Sequence, residues 1–189
     1  MCRPEPRRSL LQGLAVGLAL WLAAGWQGAA AQGIDLVSLQ LKRQDGDLVL
    51  EFAARPVLTR AVEDALQRGV PVYFVAEATL LRSRWYWRDQ RVARVQRSWR
   101  IAYQPLTSTW RVSLGALSQT VGTMSEALAV AGASGRWKIA ELSQLDPDNR
   151  YIVDFSYQLD TSQLPSPMQI GLPGPSDWVL RVERRLPVE

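Results

Sequence analysis

Four carboxylates in predicted strands are the residues of this 189-residue chain best suited to acid–base chemistry: Glu51, Glu77, Asp154 and Glu183. Two such groups about 5–10 Å apart suffice for a glycoside hydrolase, because one protonates the leaving group while the other attacks or activates water. The chain has no histidine, which excludes a Ser-His-Asp triad and histidine-ligated zinc or iron. It also lacks a nucleophile elbow and a glycine-rich phosphate loop. Surface or ion-paired acids are the more ordinary interpretation, so we predict no catalytic residue, cofactor or metal site.

The densest group of functional side chains lies in "SRWYWRD", residues 83–89, and in the strand predicted after it. From Arg82 to Arg100 there are seven arginines and one acid, Asp89, which gives a net charge of +6. A strand would place Trp85 and Trp87 on one face and the basic residues on the other. This second face is either a solvated sheet surface or an anion-binding surface, because guanidinium groups match phosphate and carboxylate geometry. The candidate binding face consists of Arg82, Arg84, Tyr86, Arg88, Arg94 and Arg100.

The N-terminal residues have the pattern of an export signal. Three arginines precede an apolar run from Leu10 to Trp26, and Ala29–Ala31 then give an A-x-A cleavage site before Gln32. We therefore predict a signal peptide at residues 1–31 and a single β-rich domain at residues 32–189. Sec export to the periplasm is expected, and a retained N-terminal anchor in the inner membrane is the alternative.

Cleavage at this position would change both the redox chemistry and the charge of the protein. It removes Cys2, the only cysteine, so the mature chain would have no disulfide and no thiolate metal site. It also removes part of the basic charge, which makes nucleic acid a poor candidate partner. The expected partners are an envelope protein or an anionic polymer or lipid surface of the cell envelope.

The elements that would position these residues are mainly strands. Asp45-Gly46 favours a tight turn between the first two. Thr59 is placed to cap a helix that ends at Gln67, a second helix is expected from Met124 to Ala131, and Ser134 falls in the turn that ends it. Alternation and β-branched or aromatic content predict strands at 34–42, 47–55, 70–87, 92–104, 109–114, 136–142, 150–160 and 177–186.

These elements predict a mainly β fold, an antiparallel β-sandwich with Ig-like or Greek-key-like connections and two short helices. An α+β layer with the helices on one face of a single sheet is the alternative. The strand at 92–104 alternates between apolar and basic residues, so Trp99, and Trp110 in the next strand, are expected to be buried. The proline-rich stretch 164–176 is expected to be an extended crossing loop.

Five stretches together resemble a family of exported proteobacterial proteins, domain of unknown function 4390: "EDALQRGVPVYF", "RSRWYWRDQ", "IAYQPLT", "LDTSQLPSPMQI" and "DWVL". The resemblance covers about residues 35–182. It implies a signal peptide, one β-rich domain, an envelope location and an association with a membrane sensor kinase of the nitrogen-regulation type. It supplies no catalytic residues. The function expected from the sequence is that of a non-enzymatic periplasmic module that binds a protein or an anionic envelope component, with a link to envelope signalling. The alternative is an envelope hydrolase or lyase with paired carboxylates.

Overall fold

Two antiparallel sheets form most of the computed structural model, which describes residues 33–84, 86, 89–163 and 175–189. The strands are β1 (Gly33–Gln44), β2 (Asp47–Val57), β3 (Val72–Arg82), β4 (Gln90–Gln104), β5 (Thr109–Leu114), β6 (Leu117–Val121), β7 (Ala133–Glu141), β8 (Tyr151–Asp160) and β9 (Arg181–Pro187). The helices are α1 (Arg60–Gln67) and α2 (Met124–Ala131), with 3-10 turns at Leu142–Gln144 and Pro175–Trp178.

The strand order confirms the predicted β-sandwich and its two short helices. One sheet has the order β1-β2-β7 and the other the order β6-β5-β4-β3-β8-β9. β3, β4, β5 and β6 follow one another as hairpins, and β8 then returns to lie beside β3, as in a Greek key. The alternative of a single sheet is wrong, because β1, β2 and β7 pair with one another and form a separate layer.

Aromatic rings from both sheets meet in the core. Phe52 of β2 lies 5.9 Å from Trp99, 5.0 Å from Phe155 and 5.5 Å from Tyr157, measured between ring centroids. The predicted burial of the two tryptophans is confirmed, since Trp99 is 2% exposed and Trp110 is 7% exposed. Burial of such large side chains is the main stabilising contribution in a domain without disulfides.

Side-chain caps set the ends of both helices. The Thr59 hydroxyl accepts a hydrogen bond from the Val62 backbone N–H at 3.4 Å and caps α1. In α2, Thr123 and Glu126 form a reciprocal capping box, and the helix ends at Gly132. The predicted bounds of α2, Met124 to Ala131, are confirmed.

Four local predictions differ from the structure. β3 ends at Arg82 rather than at residue 87, and β6 was not predicted because its residues alternate too weakly in hydrophobicity. β7 begins at Ala133, which places Ser134 in a strand rather than in a turn. β9 begins at Arg181, because the residues before it include a 3-10 turn. Most of the predicted proline-rich loop, residues 164–174, lies outside the described residues, as do residues 1–32.

Candidate functional site

The arginine-rich hairpin occupies the end of the six-stranded sheet where β3 leads into β4. β3 ends at Arg82 because β8, its partner on one side, begins opposite this residue at Tyr151. Arg84 lies beyond the strand and is exposed, and Tyr86 is 70% exposed. The predicted strand alternation therefore does not extend to Ser83 and Arg84, which lie beyond the end of β3. Three residues of the stretch lie outside the described part of the chain: Trp85, Trp87 and Arg88.

The structure does not bring the five described residues of the predicted binding face onto one side of the sheet. The strand register places Arg82 beside Tyr151, on the side of the sheet that faces the core. Arg94 and Arg100 instead point away from the core, opposite Thr79 and Tyr73 of β3. Six residues separate these two arginines along β4, a distance of about 20 Å. The described residues of the predicted face thus lie at four locations: the core side of the sheet, the connection after β3, and two places on the outer face.

Acids from other parts of the chain neutralise some of these arginines. The Arg94 Nη2 atom lies 2.6 Å from Glu77 Oε2, and the hydrogen bond and the charge of Glu77 raise the pKa of Arg94. Arg82 Nη2 lies 3.9 Å from Asp146 Oδ2, in the connection between β7 and β8. The +6 charge of the sequence window is therefore not the charge of one surface.

The hairpin end keeps guanidinium groups without an acidic partner. Arg84 donates to the side chain of Gln90, and Arg91 lies opposite Leu81 near the start of β4. Within the described residues neither guanidinium forms an ion pair, and both side chains are exposed. We call Arg84, Tyr86 and Arg91 the hairpin-end surface.

Three of the four candidate carboxylates do converge. Glu77, Asp154 and Glu183 line an open depression of about 500 Å³ on the outer face of β3, β8 and β9. Glu77 and Glu183 flank Ser156 in one row across the strands, so their backbones are about 10 Å apart. Glu51 lies elsewhere, on the outside of the three-stranded sheet, where it binds Lys42.

Each carboxylate in this depression is paired with an arginine. Arg185 contacts both carboxylate oxygens of Asp154, at 2.7 and 3.1 Å, and this interaction raises the pKa of Arg185. Arg181 binds Glu183, and Arg94 binds Glu77 as described above. A contacting guanidinium stabilises an ionised carboxylate, whereas a general acid must hold a proton. The depression therefore has the charge balance of a surface ion-pair network.

Arg97 is a candidate functional residue that the sequence analysis missed. It occupies an inward position of β4, where its guanidinium donates to the Ser134 hydroxyl and lies 5.3 Å from the centre of the Trp137 ring. Burial lowers the pKa of Arg97, the opposite of the change at Arg94. The signal was present in the sequence, since Arg97 interrupts the apolar series between Val95 and Trp99.

The described residues offer little for a metal or a membrane span. They contain no group of three or more acidic, cysteine or histidine side chains that could hold a metal ion. In the turn after β7, both carboxylate oxygens of Asp146 accept hydrogen bonds, from the Asp148 backbone and the Asn149 side chain. None of the helices in this part of the chain is long and apolar enough to cross a bilayer.

Comparison with known proteins places the chain in a family without placing it near a characterised member. No curated protein and no solved structure matches it. A family model, described as domain of unknown function DUF4390, matches residues 31–186, which is most of the chain. The protein therefore belongs to the DUF4390 family.

Proposed function

We propose that this protein is a non-enzymatic module of the periplasm that binds an anionic component of the cell envelope through its hairpin-end surface. The observation that carries the proposal is the exposure of Arg84 and Arg91, whose guanidinium groups form no ion pair within the described residues. Tyr86 lies between them in sequence and is 70% exposed. Guanidinium groups bind phosphate and carboxylate in a bidentate manner, and an exposed tyrosine adds apolar contact with a polar tip.

The proposal of a binding rather than a catalytic role rests on the carboxylates. Glu77, Asp154 and Glu183 are open to solvent and paired with arginines. A glycoside hydrolase with paired carboxylates needs a general acid, and such a group is usually buried or beside a like charge. The three acids of the depression are instead partly exposed and each contacts a guanidinium, and this arrangement argues against the alternative hydrolase or lyase.

The periplasmic location rests on the N-terminal sequence pattern and on the family. The basic residues, apolar run and A-x-A pattern favour export, and a cell-envelope protein meets anionic lipid headgroups and polymers. Binding to such a surface is compatible with a role in envelope signalling. If the protein does not bind anionic vesicles in the experiment below, a protein partner such as a sensor kinase is favoured instead.

The proposal is tested by co-sedimentation with lipid vesicles. The protein is expressed from its full-length sequence, purified in the form that the cell produces, and mixed with vesicles that contain phosphatidylglycerol. We expect binding at low salt that weakens at physiological salt, because exposed charges are screened over about 8 Å there. Each basic residue near an anionic membrane contributes about 1 kcal/mol, so Arg84→Gln with Arg91→Gln should weaken binding roughly thirtyfold.

A control with matched charge separates a site from general basicity. Arg43→Gln with Arg60→Gln removes the same charge from two exposed positions on β1 and α1. This control should bind the vesicles as the wild type does. An equal loss of vesicle binding in both double variants would mean that binding depends on net charge and not on the hairpin-end surface. No binding of the wild-type protein at low salt would reject the anionic surface and favour a protein partner.

A further inference from the structure

The two sheets leave an open cleft beside β6, because the six-stranded sheet extends past the three-stranded one. The cleft has a volume of about 390 Å³, within the range of roughly 300–1,000 Å³ that is usual for small-molecule sites. It lies between the inner faces of β4, β5 and β6 on one side and the start of β7 with the end of α2 on the other. It is separate from the hairpin-end surface.

Arg97 supplies the single charged group in the cleft lining. Its Nη1 atom donates to the Ser134 hydroxyl, and its guanidinium lies over the Trp137 ring, so the group is held in place from two sides. No ion pair joins Arg97 to any acid in the described part of the chain. A guanidinium has five N–H donors, and this arrangement leaves several of them for a ligand.

The remaining lining contains both polar and apolar side chains. Leu117 is the most exposed of the large apolar side chains, at 75%, although it belongs to a strand that forms one wall of the cleft. We call the large apolar side chains of the lining that are at least partly exposed the apolar strip. The strip is formed by Leu114, Leu117 and Val130, whereas Trp99 and Val112 of the lining are buried.

We propose that this cleft binds a small amphipathic anion of the alkyl carboxylate type, with its carboxylate on Arg97 and its chain along the apolar strip. The carboxylate supplies the acid that Arg97 lacks, and a half-buried guanidinium forms a stronger ion pair than an exposed one. The alkyl chain covers the strip and removes Leu117 from water. A purely apolar ligand would leave the buried charge unpaired, and a small inorganic anion would leave the strip exposed.

The proposal is tested by calorimetric titration of the cell-purified protein with decanoate below its micelle-forming concentration. Acetate, which is the head alone, and decyl maltoside, which has the same chain without charge, complete the series. We expect decanoate to bind and the other two to bind at least tenfold more weakly. Decyl maltoside lacks the charge-assisted hydrogen bonds, worth about a factor of ten or more, and acetate lacks the chain whose burial contributes about a factor of four per CH₂. Decyl maltoside that binds as tightly as decanoate would show an apolar site only and overturn the assignment.

Three variants locate the site. Arg97→Gln and Leu117→Asp should each lower the affinity for decanoate about tenfold or more, whereas Arg94→Gln, three residues away on the outer face, should not change it. Leu117 is mostly exposed, so Leu117→Asp should fold even if Arg97→Gln does not. Thermal melting of each variant checks its folding. Wild-type affinity in Leu117→Asp, or absence of decanoate binding in the wild type, would overturn the proposal. The Arg84, Arg91 double variant should keep decanoate binding, which separates this site from the hairpin-end surface.

Discussion

The depression across β3, β8 and β9 and the hairpin-end surface belong to the same sheet, and both are rich in arginine. In the depression each candidate carboxylate contacts a guanidinium, as in the two hydrogen bonds between Asp154 and Arg185. At the hairpin end, Arg84 and Arg91 are exposed and form no ion pair within the described residues. The first region is electrically balanced and the second has charge to offer a partner.

The difference shows that the charge of a sequence window is not the charge of a surface. Arg94 belongs to the same +6 window as Arg91, but Glu77, 17 residues earlier, neutralises it across the β3–β4 pair. The partner of Asp154 is 31 residues away, on β9. Strand pairing, which brings distant residues side by side, decides which arginines remain available for binding.

The largest effect on stability is expected from a substitution in the core of the sheet that both regions share. Trp99 is 2% exposed and lies 5.9 Å from Phe52 and 6.2 Å from Tyr157. Trp99→Ala should lower the free energy of unfolding by about 3–5 kcal/mol through lost burial and the cavity left behind. Urea titration measures the change, and a loss below about 1 kcal/mol would mean that the ring is not part of the core.

A smaller effect is expected where α2 joins β7. Gly132 has room for no side chain, because a Cβ atom there would lie 2.2 Å from the backbone oxygen of Ala54. Gly132→Ala should therefore lower the free energy of unfolding by about 1–3 kcal/mol, the usual cost of overpacking. Gly135→Ala is the matched control, since nothing lies within 4 Å of its Cβ position and it should leave stability almost unchanged. Equal urea midpoints for the two variants would contradict the close approach of α2 to β2.

The smallest effect on stability is expected when the ion pair between Glu77 and Arg94 is removed. Glu77→Gln removes the acid that pairs with Arg94 at the solvent-exposed surface. Exposed ion pairs contribute little to stability, so the urea midpoint should stay within experimental error. The freed Arg94 should instead strengthen binding to anionic vesicles in the co-sedimentation assay. Unchanged vesicle binding would mean that the free charge at this position is not part of a binding surface.

Much of the fold could be predicted because its signals are local. The bounds of α2 could be predicted from Gly122 and Gly132, the two glycines that flank it. The end of β3 could not be predicted in this way, since the residues after Arg82 remain aromatic and favour strands. β3 ends where its partner β8 begins, and the identity of that partner is a property of the whole fold.

The candidate sites were predicted less well, because they depend on register and on pairing between strands. The sequence placed Glu77, Asp154 and Glu183 in strands, but not in the same depression or beside their arginines. Arg97 was overlooked because basic and polar residues are common in β4 and mostly lie at its outward positions. Arg97 instead lies at an inward position, where the other residues are apolar. A basic residue in the apolar phase of a strand is the sequence signal that points to such a site.

In the proposed function, the hairpin-end arginines contact an anionic surface and the paired arginines do not. Arginine footprinting tests it directly: the cell-purified protein is labelled with a dicarbonyl reagent, with and without phosphatidylglycerol vesicles, and its peptides are compared by mass spectrometry. We predict that the vesicles protect Arg84 and Arg91, while Arg181 and Arg185 in the depression are labelled to the same extent in both conditions. Protection of Arg181 and Arg185 with unchanged labelling at the hairpin end would contradict binding through the hairpin-end surface.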